Sequence, residues 1–112
     1  MRAFLICPVR GHLPEETRVI VESLEAKGWR VHWPHRDTDQ GDPTGYRICA
    51  DNRAAIEKAD RVFIVWDGES TGSLFDLGMA FALRKPLSPV EIPGPTEGKS
   101  FQNMMREWED LG

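Results

Sequence analysis

Asp67, Ser70, Gly72, Ser73 and Asp76 fall within ten residues of one another, directly after the apolar run at positions 62–66. Such a run fits a strand covered on both faces of a parallel sheet. Ligands in open α/β sheets collect outside the carboxyl ends of the strands, and the N–H groups of a helix N-terminus there favour an anion. Ser70, Thr71, Gly72 and Ser73 have the hydroxyls and the small residue that a phosphate or a sugar hydroxyl needs. Asp76 and Asp67 supply carboxylates to the same loop. A structural role is open to each of them. Ser73 as an N-cap would put Asp76 at the third helical position, where a carboxylate complements the helix dipole. Asp67-Gly68 is a common turn pair.

These residues need a scaffold, and the chain alternates strand and helix throughout. Residues 4–7 form a first strand stopped by Pro8, and Arg10, Gly11 and His12 make the loop before a helix opened by Pro14, Glu15 and Glu16. Val19, Ile20, Leu24 and Ala26 give that helix its apolar stripe, and Gly28 closes it. Residues 29–33 alternate so that Trp29, Val31 and Trp33 share one face of a second, edge strand. A polar loop at 34–45, containing His35, precedes a helix at 46–59 that buries Ile48, Ala55, Ile56 and Ala59 and carries Asp51 and Asn52 on its polar side. A third helix at 74–84 is apolar nearly all round, which predicts burial on more than one side and hence a homo-oligomer formed through residues 74–83. Residues 87–92 form a fourth strand that Pro89 confines to an edge. The last helix, 100–111, turns Phe101, Met104, Met105, Trp108 and Leu111 inward.

The fold class that follows is α/β: a flavodoxin-like or Rossmann-like three-layer sandwich. Its sheet is mostly parallel, with four or five strands in the order 2-1-3-4 and any fifth at the end. With 112 residues the chain is one domain. The crevice between the first and third strands brings the 8–12 and 67–73 loops face to face.

Bulk properties exclude several partners. A net charge of −4 with scattered basic residues argues against a nucleic-acid or anionic-membrane surface. Cys7 and Cys49 are too few for a disulfide scaffold, and no Cys/His cluster has metal-ligand spacing, so no metal or other cofactor is expected. The apolar start is too short to span a membrane and lacks a cleavage pattern, which predicts a cytoplasmic protein. Glycine-rich dinucleotide and P-loop signatures are absent.

The segment DG…TGSLFDLGMAFAL at 67–83 resembles the signature of the nucleoside 2-deoxyribosyltransferase family, and weaker similarity runs from the strand ending at Pro8 to Lys85-Pro86. The resemblance implies a flavodoxin-like fold, association into dimers or larger, and cleavage of the N-glycosidic bond of a nucleoside or nucleotide. A carboxylate attacks the anomeric carbon and a second acid assists near the base, the logic of a retaining glycosidase. Asp76 stands where the family has its catalytic Glu. The second acid usually lies eight residues before the position of Asp60, which here is Asn52, with Asp51 one position and about 100° of helix away. Cys7 stands where the family often has a small Gly. The candidate catalytic set is therefore Asp76, Asp51 and Asp67. The candidate contacts to a nucleoside or nucleoside 5′-monophosphate are Pro8, Arg10, Gly11, His35, Asn52, Gly68, Ser70, Gly72 and Ser73. The alternative is a non-catalytic module of the same fold that senses a nucleotide-derived ligand or serves in an oligomer.

Overall fold

Arg2–Ile6 becomes the inner strand β1 because its side chains find apolar cover on both sides: Ala3, Phe4, Leu5 and Ile6 are all essentially inaccessible. The structure, a computed structural model, describes residues 1–8 and 14–112. Helix α1 (Pro14–Ala26) leads to β2 (Arg30–His32). A one-turn helix α2 (Pro34–Asp37) and helix α3 (Tyr46–Lys58) follow, then β3 (Arg61–Val65), α4 (Thr71–Ala82), β4 (Leu87–Glu91) and α5 (Phe101–Leu111). The four strands form one parallel sheet in the order β2-β1-β3-β4. This is the anticipated order, and the described residues add no fifth strand.

Two cores sandwich the sheet. On one face Phe4, Ile6, Val62, Ile64 and Leu87 pack with Ile56 of α3, Leu77 and Ala80 of α4, and Met105 of α5. On the other, Ala3, Leu5, Cys7, Val31, Phe63 and Val65 meet Val21 and Leu24 of α1. Pro89 lies in β4 at the sheet edge, where a residue without an N–H is tolerated, and the β3–β4 register shifts between Ile64 and Val65. Lys85 Nζ donates to the carbonyls of Glu57 and Ala59 at 2.8 and 2.9 Å, closing the C-terminal end of α3 with a cation.

The helix phases differ from expectation in three places. In α1 the inward face is Thr17, Val21 and Leu24, spaced i, i+4, i+7, whereas Val19 and Ala26 are exposed. In α5 only Met105 is buried, with Met104 and Trp108 packed against the core; Phe101 and Leu111 face outward. Helix α4 starts three residues earlier than expected and leaves Phe75, Phe81 and Leu83 exposed, so its apolar surface is not consumed within one chain.

Candidate functional site

The β3–α4 turn is built from its own side chains. Asp67 Oδ1 accepts from the N–H groups of Glu69 and Ser70, both at 2.8 Å, and Trp66 Nε1 donates to the Ser70 carbonyl at 3.1 Å. Gly68 has φ +84°, and a Cβ there would lie 3.2 Å from Cγ of Pro93, so both conformation and close approach require glycine. The N-cap of α4 is Ser70, not Ser73: Ser70 Oγ accepts the Ser73 N–H at 3.3 Å, and Ser73 Oγ donates to Ser70 Oγ at 3.0 Å. Three hydroxyl residues within four positions, Ser70, Thr71 and Ser73, offered caps, and the turn at Asp67 selected the first. Ser70→Ala is expected to cost about 1 kcal/mol in urea unfolding, with Ser70→Gly costing only a few tenths.

Moving the cap moves Asp76. It sits six residues past Ser70, beyond the reach of the helix N-terminus, on the inner face of α4 with Ser73, Leu77 and Ala80. The capping explanation for Asp76 therefore does not hold. Its side chain is 9% exposed, and Oδ2 accepts from Asn52 Nδ2 at 3.4 Å. Burial pushes the carboxyl up to about 6, with the Asn52 hydrogen bond pulling the other way.

Asn52 is itself 5% exposed, on the face of α3 that also carries Ile56 and Ala59. Thr38 Oγ1, buried in the connection after α2, donates to Asn52 Oδ1 at 2.8 Å, and His32 Nε2 lies 2.8 Å from Thr38 Oγ1. A continuous polar chain thus runs His32–Thr38–Asn52–Asp76 through the core. Sequence reading assigned Asn52 to a polar face and passed over His32 and Thr38. The spacing of Asn52, Ile56 and Ala59 (i, i+4, i+7) was the signal that Asn52 turns inward.

The remaining candidates distribute as follows. Asp51 is exposed and lines a groove of about 660 Å³ at the β2 edge with Arg2, His32, Asp37 and Lys58; the structure does not bring it to Asp76. Asp67, Gly68 and Gly72 are exposed on the turn and first helical residues. His35, on α2, is half-buried with its ring 5.5 Å from that of Trp33. Pro8 is buried at the end of β1, while Arg10 and Gly11 lie outside the described residues. Two further groups, Cys7 and Trp33, lie near this site. The Cys7 thiol feels the Asp76 charge and is pushed up to about 11, chiefly by burial. Trp33, 5% exposed, turns its indole N–H to the Cys7 sulfur, a weak acceptor, and meets no other acceptor among the described residues. No group of three or more His, Cys, Asp or Glu among the described residues is arranged to hold a metal ion. None of the helices described is long and apolar enough to cross a membrane.

No protein-family model and no curated sequence matches the chain. Solved structures do match it over nearly its full length. A 2-deoxyribosyltransferase of Bacillus psychrosaccharolyticus, a biocatalyst for nucleoside synthesis, superimposes with a TM-score of 0.76 at 17% identity, covering 99% of this chain and 90% of that one. The CMP N-glycosidase of Clostridium botulinum superimposes with a TM-score of 0.62 at 18% identity, covering 99% and 82%. The chain has the nucleoside 2-deoxyribosyltransferase-like fold.

Proposed function

We propose that the protein binds a nucleoside or nucleoside 5′-monophosphate in the crevice between β1 and β3 and cleaves or exchanges its N-glycosidic bond, with Asp76 as the reacting carboxylate. The observation that carries this reading is the state of Asp76: a buried carboxylate on the inner face of α4, released from capping and held by one directed hydrogen bond. Two enzymes that share the fold at low identity are a deoxyribosyltransferase and a CMP N-glycosidase, which agrees with it.

In this reading an Asp76 oxygen attacks C1′ as the bond from C1′ to the base nitrogen breaks. The bonding pair leaves with the base, which is protonated by Asp67 at the crevice rim or by water. Water or a second base then displaces the glycosyl ester and restores the carboxylate. Ser70, Gly72 and Ser73 hold sugar or phosphate at the start of α4. The exposed Phe75, Phe81 and Leu83 of α4 pack against a second copy. Sedimentation equilibrium should then give a dimer or larger, and Phe75→Lys should shift it toward monomer; a monomeric wild type would remove this part of the proposal.

A second reading, a ligand-binding module without turnover, is favoured by one fact: the group touching Asp76 is the amide of Asn52, not a second carboxyl. Isothermal titration calorimetry with a panel of nucleosides and 5′-monophosphates tests the premise common to both readings. At least one should bind wild type and, with similar affinity, Asp76→Asn, which keeps the shape and removes the charge. A folded protein that binds none of the panel would contradict both.

A further inference from the structure

The chain from His32 to Asp76 has a direction. Asn52 donates to Asp76 through Nδ2 and accepts from Thr38 through Oδ1, so the one Thr38 hydroxyl proton is committed to Asn52 and Thr38 Oγ1 must accept from His32. His32 then carries a proton on Nε2, and Asp76 accepts through Oδ2, as an ionised carboxylate does. One other arrangement inverts every hydrogen bond of this chain without moving a heavy atom beyond turning over the Asn52 amide. In it Asp76 is protonated and donates to Asn52 Oδ1, Asn52 Nδ2 donates to Thr38 Oγ1, Thr38 donates to His32 Nε2, and the His32 proton sits on Nδ1.

We propose that His32, Thr38 and Asn52 are positioning residues for Asp76, forming a directional relay whose polarity reverses as a unit when the carboxylate takes up a proton. The proton count balances: one proton is gained at Asp76, and the imidazole exchanges its Nε2 proton for one on Nδ1 through water. His32 is half-buried, stacked on Phe4 at 5.3 Å and 8°, and lines the open groove at the β2 edge, so its tautomer can change without opening the core. Among the described residues the charged and titratable groups around the relay are few. Asp76 is faced by the thiols of Cys7 from the end of β1 and Cys49 from α3, both made harder to ionise by burial and therefore neutral. His32 is faced by Asp37 and Arg36 from α2 and Asp51 from α3, and burial lowers its pKa from the usual histidine value, which favours the neutral ring.

The relay deepens the reading of Asp76 as the reacting carboxylate and rests on it only for an effect on turnover; the test needs no substrate, so the two can fail separately. Nitrogen-15 NMR of histidine-labelled protein, with His32 assigned through His12→Gln and His35→Gln, would be followed from pH 8 to pH 5. As Asp76 titrates near pH 6, His32 Nε2 should move from the protonated, pyrrole-like range to the unprotonated, pyridine-like range while Nδ1 moves oppositely. Ordinary protonation of the ring would leave Nε2 pyrrole-like throughout, and that result would overturn the proposal. Thr38→Val should uncouple the two titrations and Thr38→Ser should keep them coupled. Should Thr38→Val fail to fold, Asp76→Asn serves: His32 should then hold one tautomer over the whole range, and an unchanged switch in that variant would equally overturn the relay.

Discussion

Replacing Asp76 with Asn is expected to make the protein more stable at pH 7.5, by about 3 kcal/mol, and to leave it almost unchanged near pH 4. The carboxyl is buried to 9% exposure, and burial lifts it from 3.8 to about 6 in the folded chain. Below the unfolded value both states carry the neutral acid and no penalty arises. Between the two values the folded state binds more protons than the unfolded one, so stability falls as pH rises. Above about 6 the full cost of holding a buried carboxylate persists. An amide of nearly the same shape still accepts the hydrogen bond from Asn52 and carries no charge. Urea unfolding of both proteins at pH 4, 5.5 and 7.5 checks this: the gap should open with increasing pH. A variant less stable than wild type at pH 7.5 would show that the carboxylate is compensated by contacts that offset its burial.

The same substitution should remove turnover by roughly a thousandfold or more, the scale at which loss of a reacting group acts. Gain of stability with loss of activity is the expected signature of a group kept for chemistry against its folding cost. Wild-type kcat/KM should rise with pH through about 6 as Asp76 ionises. Asp51→Asn should change the rate far less, because Asp51 opens on the groove at the β2 edge and not on Asp76. A variant at Asp76 that stayed folded and retained most of the rate would assign the chemistry to another group.

Much of the scaffold was legible because its signals are local. The unbroken apolar run at 62–66 and the short one at 4–7 fitted buried inner strands, and Pro89 fitted an edge. Helix phase was less legible. A choice by hydrophobicity favoured Val19, Phe101 and Leu111, yet the chain buries Thr17 and exposes all three, because the direction in which each helix leaves its neighbouring strand fixes which stripe faces the sheet. At the site, the turn at Asp67 forms as types and spacing predict, and Asp76, a candidate through the resemblance, lies buried on α4. The cap was misplaced because Ser70, Thr71 and Ser73 have similar capping preference, and only the Asp67 turn and Trp66 decide among them. His32 and Thr38 carried no signal of their own: their importance arises from two contacts, one across six residues and one across fourteen, made after the sheet and α3 have assembled.

If this crevice breaks an N-glycosidic bond at Asp76, chromatography should detect release of free base from a panel of nucleosides and 5′-monophosphates incubated with wild type and with Asp76→Asn. Wild type should give free base from at least one substrate and the folded variant essentially none. No base from any substrate, by a wild-type protein shown in parallel to bind one of them, would contradict bond cleavage at Asp76 and establish the crevice as a binding site alone.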